Sequence, residues 1–183
     1  NSEGERINKS AEALTNFWRW FGDSKVVDEQ GRPLVVYHGS ETANITEFKG
    51  KNFFFSQFSD IAGSYGTSYD AEKGEGIDPN IYSVYLKIEN PLDIRDLRTF
   101  KSVLDNINAE HTEAYKNLEK LVSNQFDWND LSYDLQSYYG SRESFENIMW
   151  TRLYLDNQQG IINYAKSNGF DGIMDVEQSN LGG

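Results

Sequence analysis

Pro33-Leu34-Val35-Val36-Tyr37-His38-Gly39-Ser40 carries four apolar or aromatic β-formers in a row and then turns abruptly polar at His38. Such a run suits a strand buried on both faces that delivers a histidine to a polar site at its end. Gly39 directly after it has no Cβ, so the backbone there can approach a ligand closely. Upstream, Lys25–Val27 is a second β-rich run. The intervening Asp28-Glu29-Gln30-Gly31-Arg32-Pro33 has hairpin-turn composition, so the two runs are expected to pair.

Before the hairpin, Leu14, Phe17, Trp18 and Phe21 recur at spacings of three and four, predicting an amphipathic helix over Ala11–Phe21 that stops at Gly22. Trp18, Trp20 and Phe21 are read as packing residues. Residues 1–10 are polar and expected to be a flexible lead-in. After the hairpin, Asn52–Ser56 (Asn-Phe-Phe-Phe-Ser) is a strand candidate, Phe58–Tyr65 a short helix ending at Gly66, and Asp70–Pro79 a Gly- and charge-rich loop. Ile81–Ile88 alternates with the period of a strand buried on one face, and Asn90-Pro91 ends it. From Asp96 to about Tyr154 the apolar spacing becomes helical, with Ser141 placed to cap a helix through Leu153. Ile161–Ser167 is a separate helix closed by Gly169, and Phe170–Val176 a last strand. The reading is one α+β domain over 11–183, with a helical insertion at about 96–155.

The 183 residues hold 29 acidic and 17 basic side chains, for a net charge of −12. A surface so negative repels phosphate backbones and anionic bilayers, which disfavours general nucleic-acid and membrane binding. No apolar run approaches the roughly 18 residues of a spanning helix. The expectation is a soluble protein that acts in a cytoplasm. Zero Cys removes disulfides, thiolate metal sites and cysteine nucleophiles. With two His and no clustered carboxylates, no metal is expected. There is no Gly-x-Gly-x-x-Gly, no phosphate-binding Gly-Lys-Ser/Thr and no Gly-x-Ser-x-Gly elbow.

Three positions are candidates for chemistry. His38 ends the buried strand, although a histidine satisfied at a strand terminus reads the same way. Phe54 alternates away from Phe53 and Phe55, so its ring is free to form a wall for a planar ligand, with Tyr65 as a second wall. Glu177 lies just past the last strand, where a carboxylate can bond a sugar hydroxyl and offset an oxocarbenium-like charge, or simply be a solvated loop residue. His111 is read as merely exposed.

Phe17-Trp18-Arg19-Trp20-Phe21-Gly22-Asp23-Ser24-Lys25-Val26-Val27 followed by Gly31-Arg32-Pro33-Leu34-Val35-Val36-Tyr37-His38-Gly39-Ser40 resembles the opening of ADP-ribosyltransferase domains in phage polyvalent proteins and bacterial effectors. Asn52–Tyr65 and Tyr164-Ala165-Lys166-Ser167-Asn168-Gly169-Phe170-Asp171-Gly172-Ile173 are similar to the same family. Tyr37-His38-Gly39-Ser40 also resembles the diphtheria-toxin and poly(ADP-ribose) polymerase branch, whose signature is His-Tyr-Glu. The resemblance covers roughly residues 15–95 and 160–177. It implies a split, mostly antiparallel β core around an NAD⁺ cleft.

By position, the resemblance implies that His38 bonds the adenine-side ribose and that Gly39 holds the nicotinamide carboxamide through its N–H and C=O, which would account for the missing Cβ. It implies that Tyr65 stacks on nicotinamide, that Phe54 replaces the central Tyr of the triad, and that Glu177 is the catalytic carboxylate, with Asp175 as second choice. Ser40 and Ser56 complete the implied NAD⁺-binding set. The implied activity is mono-ADP-ribosylation of a macromolecule, most simply a protein. An NAD⁺ glycohydrolase toxin, or a catalytically inactive NAD⁺- or partner-binding module, would use the same fold.

Overall fold

The computed structural model describes residues 1–50, 52–70 and 75–176, with backbone alone for 68–70 and 75–77. The chain divides into two compact units, one built on Asn1–Glu89 and the other on Asn90–Gln178. Helices and small two-stranded sheets alternate through both, an α+β architecture.

The first unit begins with α1 (Ala11–Phe21), whose N-terminus is capped by the Ser10 hydroxyl accepting the Ala13 N–H. Gly22 ends it at a positive φ of 54°. Phe21 is buried and Phe17 stacks on it, whereas Trp18 and Trp20 remain 49 % and 46 % exposed. Those two indoles were expected to pack. The helix instead turns Leu14, Phe17 and Phe21 inward, leaving the positions between them on its outer side.

Val27 and Pro33 form a bridge across the expected turn, where the Asp28 carboxylate accepts the Gln30 and Arg32 N–H groups. β1 (Val36–Ser40) follows, then α2 (Ser59–Gly66), the antiparallel pair β2 (Ser68–Asp70) and β3 (Glu75–Ile77), and β4 (Asn80–Val84). The end of β2 and the whole of β3 fall within Asp70–Pro79, the stretch read as a loop. β4 pairs antiparallel with β1, setting His38 opposite Tyr82 and Gly39 opposite Ile81. Asn52–Ser56 is extended but contributes only the Ser56–Tyr37 bridge.

The N-terminal residues are hydrogen-bonded rather than loose. The Ser2 N–H donates to the Pro33 carbonyl, its hydroxyl accepts the Val35 N–H, and Asn1 Nδ2 donates to the Tyr85 hydroxyl.

In the second unit, β5 (Pro91–Asp93) pairs in parallel with β6 (Gly172–Met174). Between them run α3 (Leu97–Asn106), α4 (Glu113–Val122), α5 (Tyr133–Tyr139) and α6 (Arg142–Ser167). Pro91 therefore begins a strand rather than ending one. The two helices expected at 141–153 and 161–167 are one 26-residue helix, capped by Ser141. The polar stretch between them does not interrupt it, and Gly160 within it lies against Ile107, where a Cβ would sit 2.9 Å from Ile107 Cδ1.

These helices close on the strands around Leu92, Ile94, Phe100, Leu104, Leu118 and Leu153, with the Trp150 indole donating to the Ile94 carbonyl. Burial of that apolar surface, at about 25 cal/mol per Å², is the main force holding the unit. His111 is exposed as read, yet its ring also stacks on Tyr115 at 4.2 Å. No helix among the described residues is long and apolar enough to cross a membrane.

Candidate active site

β1 presents two faces and an edge that, beyond the Tyr37–Ser56 bridge, has no ladder partner among the described residues. Alternation along the strand puts the His38 side chain on one face and the Cβ direction of Gly39 on the other. On the Gly39 face α2 crosses so closely that a Cβ would lie 1.8 Å from the Ala62 carbonyl oxygen. At the same crossing a Cβ on Gly66 would lie 2.6 Å from the Ser40 nitrogen. The close approach of α2 by itself requires a residue without a Cβ at position 39. This packing reason was not read from the sequence, which pointed only to close approach of a ligand.

On the opposite face His38 stands among aromatic rings. Phe48 meets it edge-on at 5.1 Å, Phe55 tilts at 5.4 Å and Phe53 lies edge-on at 6.1 Å. Nδ1 lies 2.8 Å from the Phe54 carbonyl oxygen. A carbonyl only accepts, so Nδ1 carries a proton in this bond, and the tautomer that leaves Nε2 as an acceptor is the one it selects.

The free edge of β1 follows from the register. Tyr37 exchanges both backbone hydrogen bonds with Ser56, so Tyr37 faces away from β4. The Val35 N–H, two residues back, also faces that way and reaches the Ser2 hydroxyl. Gly39 has the same phase. Its natural ladder partner, counting back from Ser56, is Phe54. Pairing stops at Ser56, however, and the Phe54 carbonyl is turned to His38 instead. The Gly39 N–H and C=O are left directed at the place where the ladder opens.

Phe54 therefore contributes through its backbone as well as its ring, which is 49 % exposed. Tyr65, on the last turn of α2, is 76 % exposed. Both rings are available to stack on a planar group. Ser40 and Ser56 are placed differently. The Ser40 hydroxyl accepts the Thr42 N–H, and Ser56, only 6 % exposed, accepts the Phe58 N–H at the start of α2. Both hydroxyls serve local turns.

The Tyr37 hydroxyl donates to the Glu3 carboxylate, which raises the phenol above its ordinary pKa. Glu177 lies outside the described residues. Asp175 follows β6 directly. Among the described residues no group of three His, Asp or Glu side chains is placed to hold a metal ion.

Sequence reading missed Phe48. It lies in the polar segment 41–50 with no periodic neighbours, and only its distance before the Phe53–Phe55 triplet hinted at a shared cluster. Tyr82 was read only as one face of an alternating strand, and its hydroxyl contacts with the segment after β1 are set by register.

The chain matches neither a curated protein nor a solved structure. The family described as ADP-ribosyltransferase in polyvalent proteins matches residues 28–179, most of the chain and all of the site above. β1 with Tyr37-His38-Gly39, the Phe53–Phe55 segment, α2 with Tyr65 and the late strand β6 all fall inside that match, and on this basis the chain belongs to the family of ADP-ribosyltransferases in polyvalent proteins.

Proposed function

We propose that this protein is a mono-ADP-ribosyltransferase that cleaves NAD⁺ at the nicotinamide–ribose bond and transfers ADP-ribose to a protein. The observation that carries the reading is the free edge at Gly39. A primary carboxamide has one N–H face and one C=O, and an unpaired strand residue offers the matching C=O and N–H side by side. Beside that edge, His38 Nε2 accepts from a ribose hydroxyl, and the exposed Phe54 and Tyr65 rings cover the flat faces of nicotinamide. These residues fit the dinucleotide.

NAD⁺ supplies a cationic leaving group, so the glycosidic bond breaks with its electron pair going to the pyridinium ring, and nicotinamide departs neutral. The Glu177 carboxylate is assigned to the nicotinamide-side ribose, where it offsets the oxocarbenium charge. A nucleophile of the acceptor then bonds to the anomeric carbon and releases its proton. Binding and charge stabilisation by these side chains account for the step without a metal ion. The net charge of −12 favours an acceptor with a basic surface. A second reading, NAD⁺ glycohydrolysis, uses the same site with water as the nucleophile.

The test is incubation of the purified chain with adenine-labelled NAD⁺ and cell lysate, following nicotinamide release and label on protein. Label that disappears with His38→Ala and Glu177→Ala supports transfer. Nicotinamide release without labelled protein moves the assignment to glycohydrolase. Binding of NAD⁺ without release leaves a binding module and sinks the transferase reading.

A further inference from the structure

The segment that follows β1 is fastened to β4 by side chains rather than by a ladder. The Tyr82 hydroxyl donates to the Thr42 carbonyl at 2.7 Å and accepts the Ile45 N–H at 3.2 Å. Asn80 Nδ2 adds a third bond, to the Glu41 carbonyl at 3.3 Å. Of residues 41–50 only Ile45 and Phe48 are even partly buried, so little apolar burial holds this segment down. One of those two side chains, Phe48, is the ring packed edge-on against His38. Phe48 also contacts Phe53 at 5.3 Å, Phe55 at 5.5 Å and the Tyr82 ring at 6.4 Å, which closes the cluster.

We propose that Tyr82 is a positioning residue for His38: its hydroxyl pins the segment Thr42–Ile45, the pinned segment holds Phe48 on the imidazole, and Phe48 keeps Nδ1 on the Phe54 carbonyl with Nε2 free to accept. The sequence of contacts runs from β4 through the segment to the ring on β1, all within the first unit. An imidazole ring that is part-exposed and bonded through one nitrogen is free to turn about χ2 unless a neighbour blocks it, and Phe48 is the nearer of its two edge-on neighbours, at 5.1 Å against 6.1 Å for Phe53. The proposal deepens the NAD⁺-transfer reading and rests on it for the ligand, but its first readout does not need the ligand.

Tyr82→Phe removes one oxygen and keeps the ring, and Phe48→Leu removes the aromatic edge and keeps an apolar side chain. Long-range proton–nitrogen spectra of the histidine ring report which nitrogen of His38 bears the proton, and calorimetry with NAD⁺ reports affinity. In the unchanged protein His38 shows the Nδ1-protonated form alone. In both variants the signals move toward a mixture of the two forms, and the Kd for NAD⁺ rises about five- to tenfold, as for loss of one or two ordinary hydrogen bonds. The urea midpoint of Tyr82→Phe stays at that of the parent, and kcat stays within about twofold, so the loss is in KM.

A tautomer pattern that stays at the parental one in both variants overturns the proposal, as does an affinity loss that leaves that pattern untouched. A shifted tautomer in a protein that never binds NAD⁺ supports the positioning role and removes the ligand reading instead.

Discussion

A Cβ built on Gly39 would lie 1.8 Å from the carbonyl oxygen of Ala62, so the backbones of β1 and α2 meet at van der Waals distance with no room for a side chain. The contact is backbone to backbone, and neither partner can swing aside as a side chain would. Gly39→Ala is therefore expected to lower the stability of the first unit by about 3 kcal/mol or more, at the upper end of overpacking effects. Urea unfolding followed by tryptophan fluorescence measures it. Retention of the parental midpoint would show that α2 can move away freely, and the rigid crossing described above would be wrong.

Phe54 separates ring from backbone. Its ring is half-exposed, so Phe54→Ala should change the urea midpoint by no more than an ordinary surface substitution, within about 0.5 kcal/mol. The carbonyl that holds His38 is kept. The expected result is NAD⁺ affinity reduced about three- to tenfold, the scale of one lost stacking contact of ~0.5–1.5 kcal/mol. An unchanged Kd would mean the ring is not a wall of the site.

Two carboxylates in the second unit give acid sensitivity with a definite sign. The Arg95 guanidinium, bonded to Asp93, holds that carboxyl below its ordinary value. The Thr99 N–H does the same for Asp96, the cap of α3. A group whose folded pKa is depressed contributes stability that is complete above its unfolded value, about 3.9, and is lost as pH falls through the lower folded value. The melting temperature should accordingly fall as pH drops below about 4, and Asp93→Asn should flatten that fall. A variant with the parental acid limb would remove Asp93 from the account.

Gly160 and Ile107 predict a coupling. Alanine is favoured over glycine inside a helix by about 1 kcal/mol, but a Cβ at position 160 would press on Ile107 Cδ1 at 2.9 Å. Gly160→Ala should therefore stabilise more in an Ile107→Val background than in the parent protein, with a coupling of about 0.5 kcal/mol or more in a double-mutant cycle. Strict additivity would show that Ile107 already has room to move.

Several elements were legible because each carries its signal locally. The α1 spacing, Gly22 as its stop, the Asp28 turn, α2 to Gly66 and the Ser141 cap depend on residues within a few positions of one another. Where reading failed, the deciding partner was distant. The helix runs on through the break expected near Leu155–Gly160, and the glycine there faces Ile107, more than fifty residues away. β5 and β6 lie at opposite ends of the helical run, and their parallel pairing leaves no turn signal between them.

By itself the sequence determined the acidic character, the α+β pattern and the family, along with the presence of a strand that carries His38. All of these follow from composition, period and motif, which are properties of neighbours along the chain. Only the tertiary structure decided why residue 39 lacks a side chain, which backbone groups stay unpaired at the edge of β1, and which nitrogen of His38 bears the proton. Those outcomes depend on register, on the face to which each Cβ points and on the approach of α2. Hydrogen bonds and close packing act over a few ångströms between segments that the sequence keeps far apart.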